Sequence, residues 1–261
     1  MLTLKNVSRQ FGGLQALSQV NLTVPQGKVV GLIGPNGAGK TTLINNISGL
    51  DHPTSGQIVF MEHDITTAPP HKISRLGIAR TYQNIRLFGE MTALENLLIG
   101  EHATNKSSIL DSLVFSPTYR REEKAMRERT MANLQRFGLE SLANARASSL
   151  PYGDQRRLEM ARALSTHPSL LLLDEPTAGM NPIETRALGD QILRERDQGL
   201  TVLVIEHDMS LIHQVCDEIY VLNFGQIIAH GTPDEIKQNP LVIEAYLGED
   251  EDEHGRTPTS A

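Results

Sequence analysis

Short apolar runs alternate with longer stretches of helical periodicity along most of the chain. Compact runs at residues 28–33 and 170–173 are bounded by Gly or Pro, and runs at 201–205 and 219–222 are of the same kind. Such runs are typical of strands that are covered on both faces of a parallel sheet. The alternation of these strands with helical stretches predicts the α/β class, with a mainly parallel sheet as its core.

The first two dozen residues follow a different pattern, in which apolar and polar positions alternate. The apolar positions are Leu2, Leu4, Val7, Val20, Leu22 and Val24. Period-two alternation is typical of antiparallel strands with one buried face. We therefore expect a small antiparallel β subdomain beside the parallel sheet.

Strand patterns disappear between about residues 82 and 164. Residues 120–137 form a long charged stretch in which Met126, Met131, Leu134 and Phe137 fall on one helical face. We predict a helical subdomain inserted at about 83–164 within a single larger domain that spans 1–248. The methionines are interpreted as core residues rather than ligands.

Composition bears on the size of the core, on membrane crossing and on the compartment of the protein. The chain has 261 residues, 39% of them hydrophobic, which is enough for a large core. No apolar stretch approaches the roughly 18 to 20 residues that cross a bilayer. No signal peptide is expected from residues 1–7, and the single cysteine, Cys216, suits a reducing compartment.

Charge argues against a nucleic-acid partner. The net charge is −7, from 31 acidic and 24 basic residues, and no basic block stands out. Residues 249–261 are acidic and polar, so they are predicted to be a disordered tail.

A phosphate-binding loop follows the first buried run. Residues 34–41 match the pattern G-x-x-x-x-G-K-[ST] between a predicted strand and a predicted helix at about 39–49. Backbone N–H groups of such a loop surround phosphate oxygens, Lys40 adds a charge for the β- and γ-phosphates, and the Thr41 hydroxyl can bind Mg²⁺. The predicted ATP-binding residues here are Gly34, Pro35, Asn36, Gly37, Ala38, Gly39, Lys40, Thr41 and Thr42.

Two acids, Asp174 and Glu175, end the apolar run at 170–173. Beside a phosphate-binding loop, Asp174 is placed to hold Mg²⁺ through its water shell. Glu175 is then the candidate that orients and deprotonates an attacking water. On the alternative interpretation they only end a strand at the surface. The pair favours an ATPase over a kinase.

Together these motifs resemble the ATP-binding subunits of ABC transporters over residues 2–248, in the expected order. The resemblance implies roles for three further residues. Gln83 senses the γ-phosphate and Mg²⁺ beside the membrane partner, His207 hydrogen-bonds the γ-phosphate, and Phe11 stacks on adenine.

The family's signature segment corresponds to residues 150–157, where Pro151 replaces a serine that touches ATP on the opposite subunit. Proline supplies neither that hydroxyl nor an N–H, so this contact is in doubt. Tyr152 and Gly153 remain the predicted contacts of the segment, because a bare backbone at Gly153 lets phosphate approach. Asn181 stands where the family commonly has aspartate, which weakens a second cross-subunit contact.

Three segments, 80–88, 150–159 and 178–182, resemble most closely the ATPase subunits of branched-chain amino acid importers. The resemblance implies two transmembrane permease subunits, a periplasmic solute-binding protein and a second ATPase subunit, at the cytoplasmic face of the bacterial inner membrane. A heterodimer of ATPases is favoured and a homodimer stays possible.

Two rival functions are less consistent with the sequence. A DNA-repair or ribosomal ABC ATPase would carry a long coiled coil or tandem ATPase units, whereas this chain has one phosphate-binding loop and no sustained heptads. A P-loop kinase does not account for Gln83, the signature segment and His207 together.

Overall fold

The computed structural model describes residues 1–104 and 117–246, without the side chains of residues 103–104 and 117–120. The strands are β1 (Leu2–Phe11), β2 (Leu14–Val24), β3 (Val29–Ile33), β4 (Ser55–Phe60), β5 (His63–Asp64), β6 (Ile78–Arg80), β7 (Leu170–Asp174), β8 (Thr201–Ile205), β9 (Glu218–Asn223) and β10 (Gln226–Gly231). The helices are α1 (Lys40–Ser48), α2 (Pro70–Arg75), α3 (Ala93–Thr104), α4 (Pro117–Arg136), α5 (Tyr152–Leu164), α6 (Pro182–Asp197), α7 (Met209–Val215) and α8 (Pro233–Lys237). Residues 240–246 are also helical.

An antiparallel sheet in the order β2-β1-β4-β5 is built from the amino-terminal strands. Leu2 pairs with Val24 and Leu4 with Leu22, so apolar side chains of both strands share one face. These side chains are buried, which is the reason for the alternation in the sequence.

The second sheet has the order β10-β9-β3-β8-β7-β6. The five strands from β9 to β6 are parallel to one another, and β10 is antiparallel to β9. Every residue of β3, β7 and β8 is buried. Alternate residues of these strands join two separate apolar clusters, one shared with α1 and the antiparallel sheet, the other with α5 and α6. Coverage on both faces explains the uninterrupted apolar runs, and the α/β prediction is confirmed.

Helices replace strands in the described residues between β6 and β7. Helix α4 buries Met126, Leu134 and Phe137 on the face predicted for it, and Met131 packs beside them. At the end of α4, Arg136 pairs with Glu195 of α6 and so ties the helical region to the core. The bounds of a helical subdomain at 83 and 164 stay a prediction, and the acidic tail at 249–261 lies outside the described residues.

None of the helices in the described ranges is long and apolar enough to cross a membrane.

Candidate nucleotide-hydrolysis site

The loop between β3 and α1 is built around glycines in the left-handed region of backbone conformation. Gly34, Gly37 and Gly39 have φ angles of 150°, 77° and 108°. A Cβ on Gly34 would lie 2.0 Å from the backbone oxygen of Leu222, and one on Gly39 would lie 2.7 Å from that of Ala16. Because a side chain fits neither place, the loop can wrap closely against β9 and the start of β2.

Lys40 is buried at the start of α1, where its ammonium group donates hydrogen bonds to the loop's own carbonyls. The acceptors are the backbone oxygens of Gly34 and Pro35, the latter at 2.8 Å. The charge is thereby held inside the curve of the loop, at the amino-terminal end of the helix. A curved backbone, a helix N-terminus and a lysine fit the phosphates of a nucleotide.

Asp174, the last residue of β7, is buried in an ion pair with Arg80 of β6, with 2.8 Å between Oδ2 and Nη2. Arg80 also donates to Asn45 Oδ1 at 2.8 Å and to Ser48 Oγ at 2.9 Å, both on α1. This network joins the ends of β6 and β7 to the helix that follows the phosphate-binding loop. The carboxylate is therefore held in place relative to the loop.

Glu175 leaves the strand with a left-handed backbone, at a φ angle of 47°. Its N–H donates to the carbonyl of Ile205 at 2.9 Å, and its Oε2 accepts a hydrogen bond from Gln83 Nε2 at 2.7 Å. A left-handed conformation costs a non-glycine residue on the order of 1–3 kcal/mol and recurs at functional positions. The fold thus brings Glu175 and Gln83 into contact across 92 positions of sequence.

His207 follows β8, with 63% of its side chain exposed. Its N–H donates at 2.9 Å to Glu206, whose fully buried carboxylate also accepts from the N–H of Thr177 at 2.8 Å. Glu206 therefore bridges the segments that follow Glu175 and β8. It was missed in the sequence, although an acid directly after an apolar strand is the same signal that pointed to Asp174.

The signature segment packs on the loop after Glu175. A Cβ on Gly179 would lie 3.0 Å from the ring of Tyr152, and one on Gly153 would lie 2.7 Å from Oε1 of Glu184. Pro151 precedes α5 and gives that helix no side-chain cap, whereas Asn181 accepts from the N–H groups of Ile183 and Glu184 and caps α6. These contacts link Tyr152 and Gly153 to the segment at 178–184.

Phe11, the candidate adenine contact, is the last residue of β1, beside the turn to β2, and is 46% exposed. The guanidinium of Arg9 lies 4.3 Å from its ring centroid. An exposed aromatic face beside this turn, which leads to the strand packed on Gly39, suits a base that stacks at the edge of the site.

Magnesium fits the donor set at this edge of the sheet. The Thr41 hydroxyl, the Asp174 carboxylate and the Gln83 amide are oxygen donors of the kind that Mg²⁺ prefers. Among the described residues no group of three or more His, Cys, Asp or Glu could hold a metal. At nucleotide sites, Mg²⁺ is usually held by one or two carboxylates together with the phosphates.

The fold and this arrangement define a P-loop nucleotide hydrolase. Family models match the chain twice, as "ABC transporter" over residues 17–178 and as "Branched-chain amino acid ATP-binding cassette transporter" over residues 226–252. The chain therefore belongs to the ABC transporter family, as an ATPase subunit, and the resemblance stated from the sequence is confirmed.

Relatives support this placement over nearly the whole length. The chain is 46% identical over 250 residues to the high-affinity branched-chain amino acid transport ATP-binding protein LivG of Escherichia coli, covering 95% of this chain and 98% of that one. It is 47% identical, with the same coverage, to the corresponding protein BraF of Pseudomonas aeruginosa.

Solved structures agree. The crystal structure of an ATP-binding cassette in its ADP conformation is 36% identical, with a TM-score of 0.83, covering 95% of this chain and 98% of that chain. A dimeric cassette bound to ADP and phosphate is 27% identical, with a TM-score of 0.75, covering 89% and 99%. Nucleotide binding is thus a property of ABC ATPase cassettes.

Proposed function

We propose that this protein hydrolyses ATP to drive the import of branched-chain amino acids through an ABC transporter. The observation that carries the proposal is the 46% identity to a branched-chain amino acid transport ATP-binding protein across 95% of the chain. The match of residues 226–252 to a family model of such transporters supports it independently, because that segment lies beyond the shared ATPase motifs.

Within the site, each residue has a role that its position supports. The loop at 34–42 holds the phosphates, and Phe11 stacks on adenine at its edge. Thr41 and Gln83 would hold Mg²⁺ directly and Asp174 through the water shell of the ion, and the bound ion would neutralise developing charge on the phosphates. Glu175 accepts a proton from the attacking water, and the exposed His207 side chain contacts the γ-phosphate.

Membrane partners are proposed to dock in a groove beside the Gln83 segment. A cavity of about 330 Å³ lies there between the core, which contributes Ile73 and Ile78, and the helical region, which contributes Phe88 and Ile99. Phe88 is 48% exposed, so an apolar surface is available to a permease helix. Two permease subunits at the cytoplasmic face of the inner membrane would receive the motion, and a periplasmic binding protein would deliver the solute.

A second ATPase subunit completes the assembly. The head-to-tail pair places ATP between the phosphate-binding loop of one subunit and the signature segment of the other. We favour an unlike partner, because Pro151 and Asn181 weaken the composite site to which this chain gives its signature segment. Equal hydrolysis at both sites of a reconstituted pair would argue for equivalent subunits.

Uptake of labelled leucine tests the proposal in cells that lack this gene. The natural protein is expected to restore uptake, and the Glu175→Gln variant is expected to leave it at the background level. Glu218→Gln, a surface change on β9 beside His230, serves as the matched control and should restore uptake. Unchanged uptake in the deletion strain, with no redundant system present, would overturn the substrate while the ATPase assignment stands.

A further inference from the structure

Arg156, the fifth residue of α5, joins two motifs that are far apart in the sequence. The side chain is buried, at 4% exposure. Its guanidinium donates to the backbone carbonyl of Tyr82 at 2.8 Å and to that of Gln83. The peptide groups before and after the Gln83 Cα are therefore anchored to the helix of the signature segment.

The other side of the same guanidinium faces the signature segment itself. Arg156 Nη2 and Nε donate to the hydroxyl of Tyr152 at 2.9 and 3.2 Å. The Tyr152 ring in turn packs where a Cβ on Gly179 would lie, in the loop after Glu175. One side chain thus connects Tyr152, the Gln83 backbone and, through packing, the segment after the general base.

A buried guanidinium needs compensation, and Glu159 supplies it one turn further along α5. The two side chains are 3.4 Å apart, and Glu159 also accepts from the N–H of Arg86 at 3.0 Å. The carboxylate and the arginine therefore hold the Gln83 segment at two places, residues 82–83 and residue 86. Arginine is suited to this position because its rigid planar fork presents five N–H donors on three nitrogen atoms, whereas lysine and glutamine each donate from a single nitrogen.

We propose that Arg156 is a positioning residue that couples the signature segment to Gln83 of the same subunit. On the proposed function, the signature segment contacts ATP held by the partner, while Gln83 acts at the subunit's own nucleotide. Arg156 then makes the placement of Gln83 depend on the state of the neighbouring site. The inference rests on that proposed assembly and on the proposed role of Gln83.

The test is steady-state ATP hydrolysis by the complete transporter with varied ATP and varied Mg²⁺. We expect Arg156→Gln to lower kcat about 10- to 100-fold, as expected when a catalytic group is displaced by a fraction of an ångström to an ångström. KM for ATP should change by less than about twofold, because the phosphate-binding loop is intact. The half-saturating Mg²⁺ concentration should rise several-fold, since Gln83 is a proposed ligand.

Two further variants separate positioning from general stability. Arg156→Lys keeps the charge and can reach a single carbonyl, so its kcat should lie between those of the natural protein and Arg156→Gln. If Arg156→Gln does not fold, the kcat and Mg²⁺ dependence of Arg156→Lys test the proposal in its place. Arg136→Gln removes an ion pair between the helical region and the core without touching the Gln83 segment, and it should lose thermal stability while keeping kcat and the Mg²⁺ dependence.

The outcomes distinguish a failure of the proposed coupling from a failure of the proposed role of Gln83. If Gln83→Ala lowers kcat and raises the half-saturating Mg²⁺ concentration while both Arg156 variants behave as the natural protein does, the coupling is wrong and the role of Gln83 stands. If Gln83→Ala itself changes neither quantity, its proposed role fails and the inference fails with it. Equal losses in Arg156→Gln and Arg136→Gln would reduce Arg156 to a structural role and overturn the proposal.

Discussion

Glu175 is held at the end of β7 by its backbone and by Gln83, so removing only its charge should leave the site intact. We expect Glu175→Gln to bind ATP with natural affinity and to hydrolyse it about 10² to 10⁴ times more slowly, which is the usual contribution of a general base. Nucleotide binding and single-turnover hydrolysis measure the two properties separately. Hydrolysis within a factor of a few of the natural rate would remove Glu175 from this role.

Two glycines of the phosphate-binding loop offer a matched pair for separating strain from steric overlap. A Cβ on Gly37 meets nothing within 4 Å. Gly37→Ala should therefore lower the free energy of unfolding only through the strain of its left-handed φ angle of 77°, by about 1–2 kcal/mol. Gly34→Ala adds overlap with the Leu222 oxygen, and we expect a loss of about 3 kcal/mol or more. Urea unfolding measures both, and equal losses would contradict the close approach of the loop to β9.

At the scale of single elements, the start of α6 depends on a reciprocal cap. Asn181 accepts from backbone N–H groups of the first turn, and the Glu184 side chain accepts from the Asn181 N–H at 2.9 Å. Asn181→Ala should lower the free energy of unfolding by about 1 kcal/mol, whereas Asn181→Asp keeps the acceptor and should stay within about 0.5 kcal/mol. Denaturant titrations of the natural protein and the two variants measure these free energies of unfolding. An alanine variant as stable as the natural protein would show that the cap contributes nothing.

Glu159 on α5 makes the stability of the protein depend on pH in a predictable direction. Burial raises the pKa of this carboxyl, against the opposing effects of the Arg86 N–H and the Arg156 charge. Because the folded protein then holds the proton more tightly than the unfolded chain, this group's contribution to stability falls as pH rises from the unfolded pKa of roughly 4.3 through the folded value.

Glu159→Gln removes that titration and keeps the size of the side chain. The stability of the variant minus that of the natural protein should therefore increase with pH across this window. Urea unfolding at a series of pH values measures the difference. A difference that is constant, or that decreases with pH, would show that the folded pKa is not raised.

Across the whole molecule, long uniform patterns were predicted well and long-range polar contacts were not. The run at 201–205 became β8 with the same bounds, because a strand buried on both faces is apolar at nearly every position, here at 202–205. The apolar run at 170–173 lies within β7, which also includes Asp174, because that acid is buried against Arg80 and still pairs in the sheet.

The candidate site divides in the same way. The glycine loop is a local pattern, so its backbone could be anticipated from sequence. The Arg156 contact with the Gln83 carbonyl spans 73 positions and uses a backbone acceptor, which leaves no trace in residue type. For Glu206, the acid after an apolar strand was visible in the sequence, but its contact with Thr177 spans 29 positions and exists only in the folded chain.

Cys216 offers a measure of the opening of the entire fold. It is the single cysteine of the chain, is 9% exposed, and lies so close to β3 that a Cβ on Gly31 would be 3.0 Å from its sulfur. Burial also raises the pKa of the thiol, so the reactive thiolate is scarce in the folded protein. Modification by a thiol reagent should therefore proceed only through unfolding.

Nucleotide should slow that modification through mass action. In Glu175→Gln, which is expected to keep ATP, a concentration of Mg²⁺-ATP about 100 times Kd stabilises the folded state by about 2.7 kcal/mol and should slow labelling roughly 100-fold. Lys40→Ala is the control, because a protein without the loop's charge should show little protection. Rapid labelling of the native protein, unaffected by either denaturant or nucleotide, would mean that the reagent reaches Cys216 through a local opening. The core around β3 would then unfold less cooperatively than its packing implies.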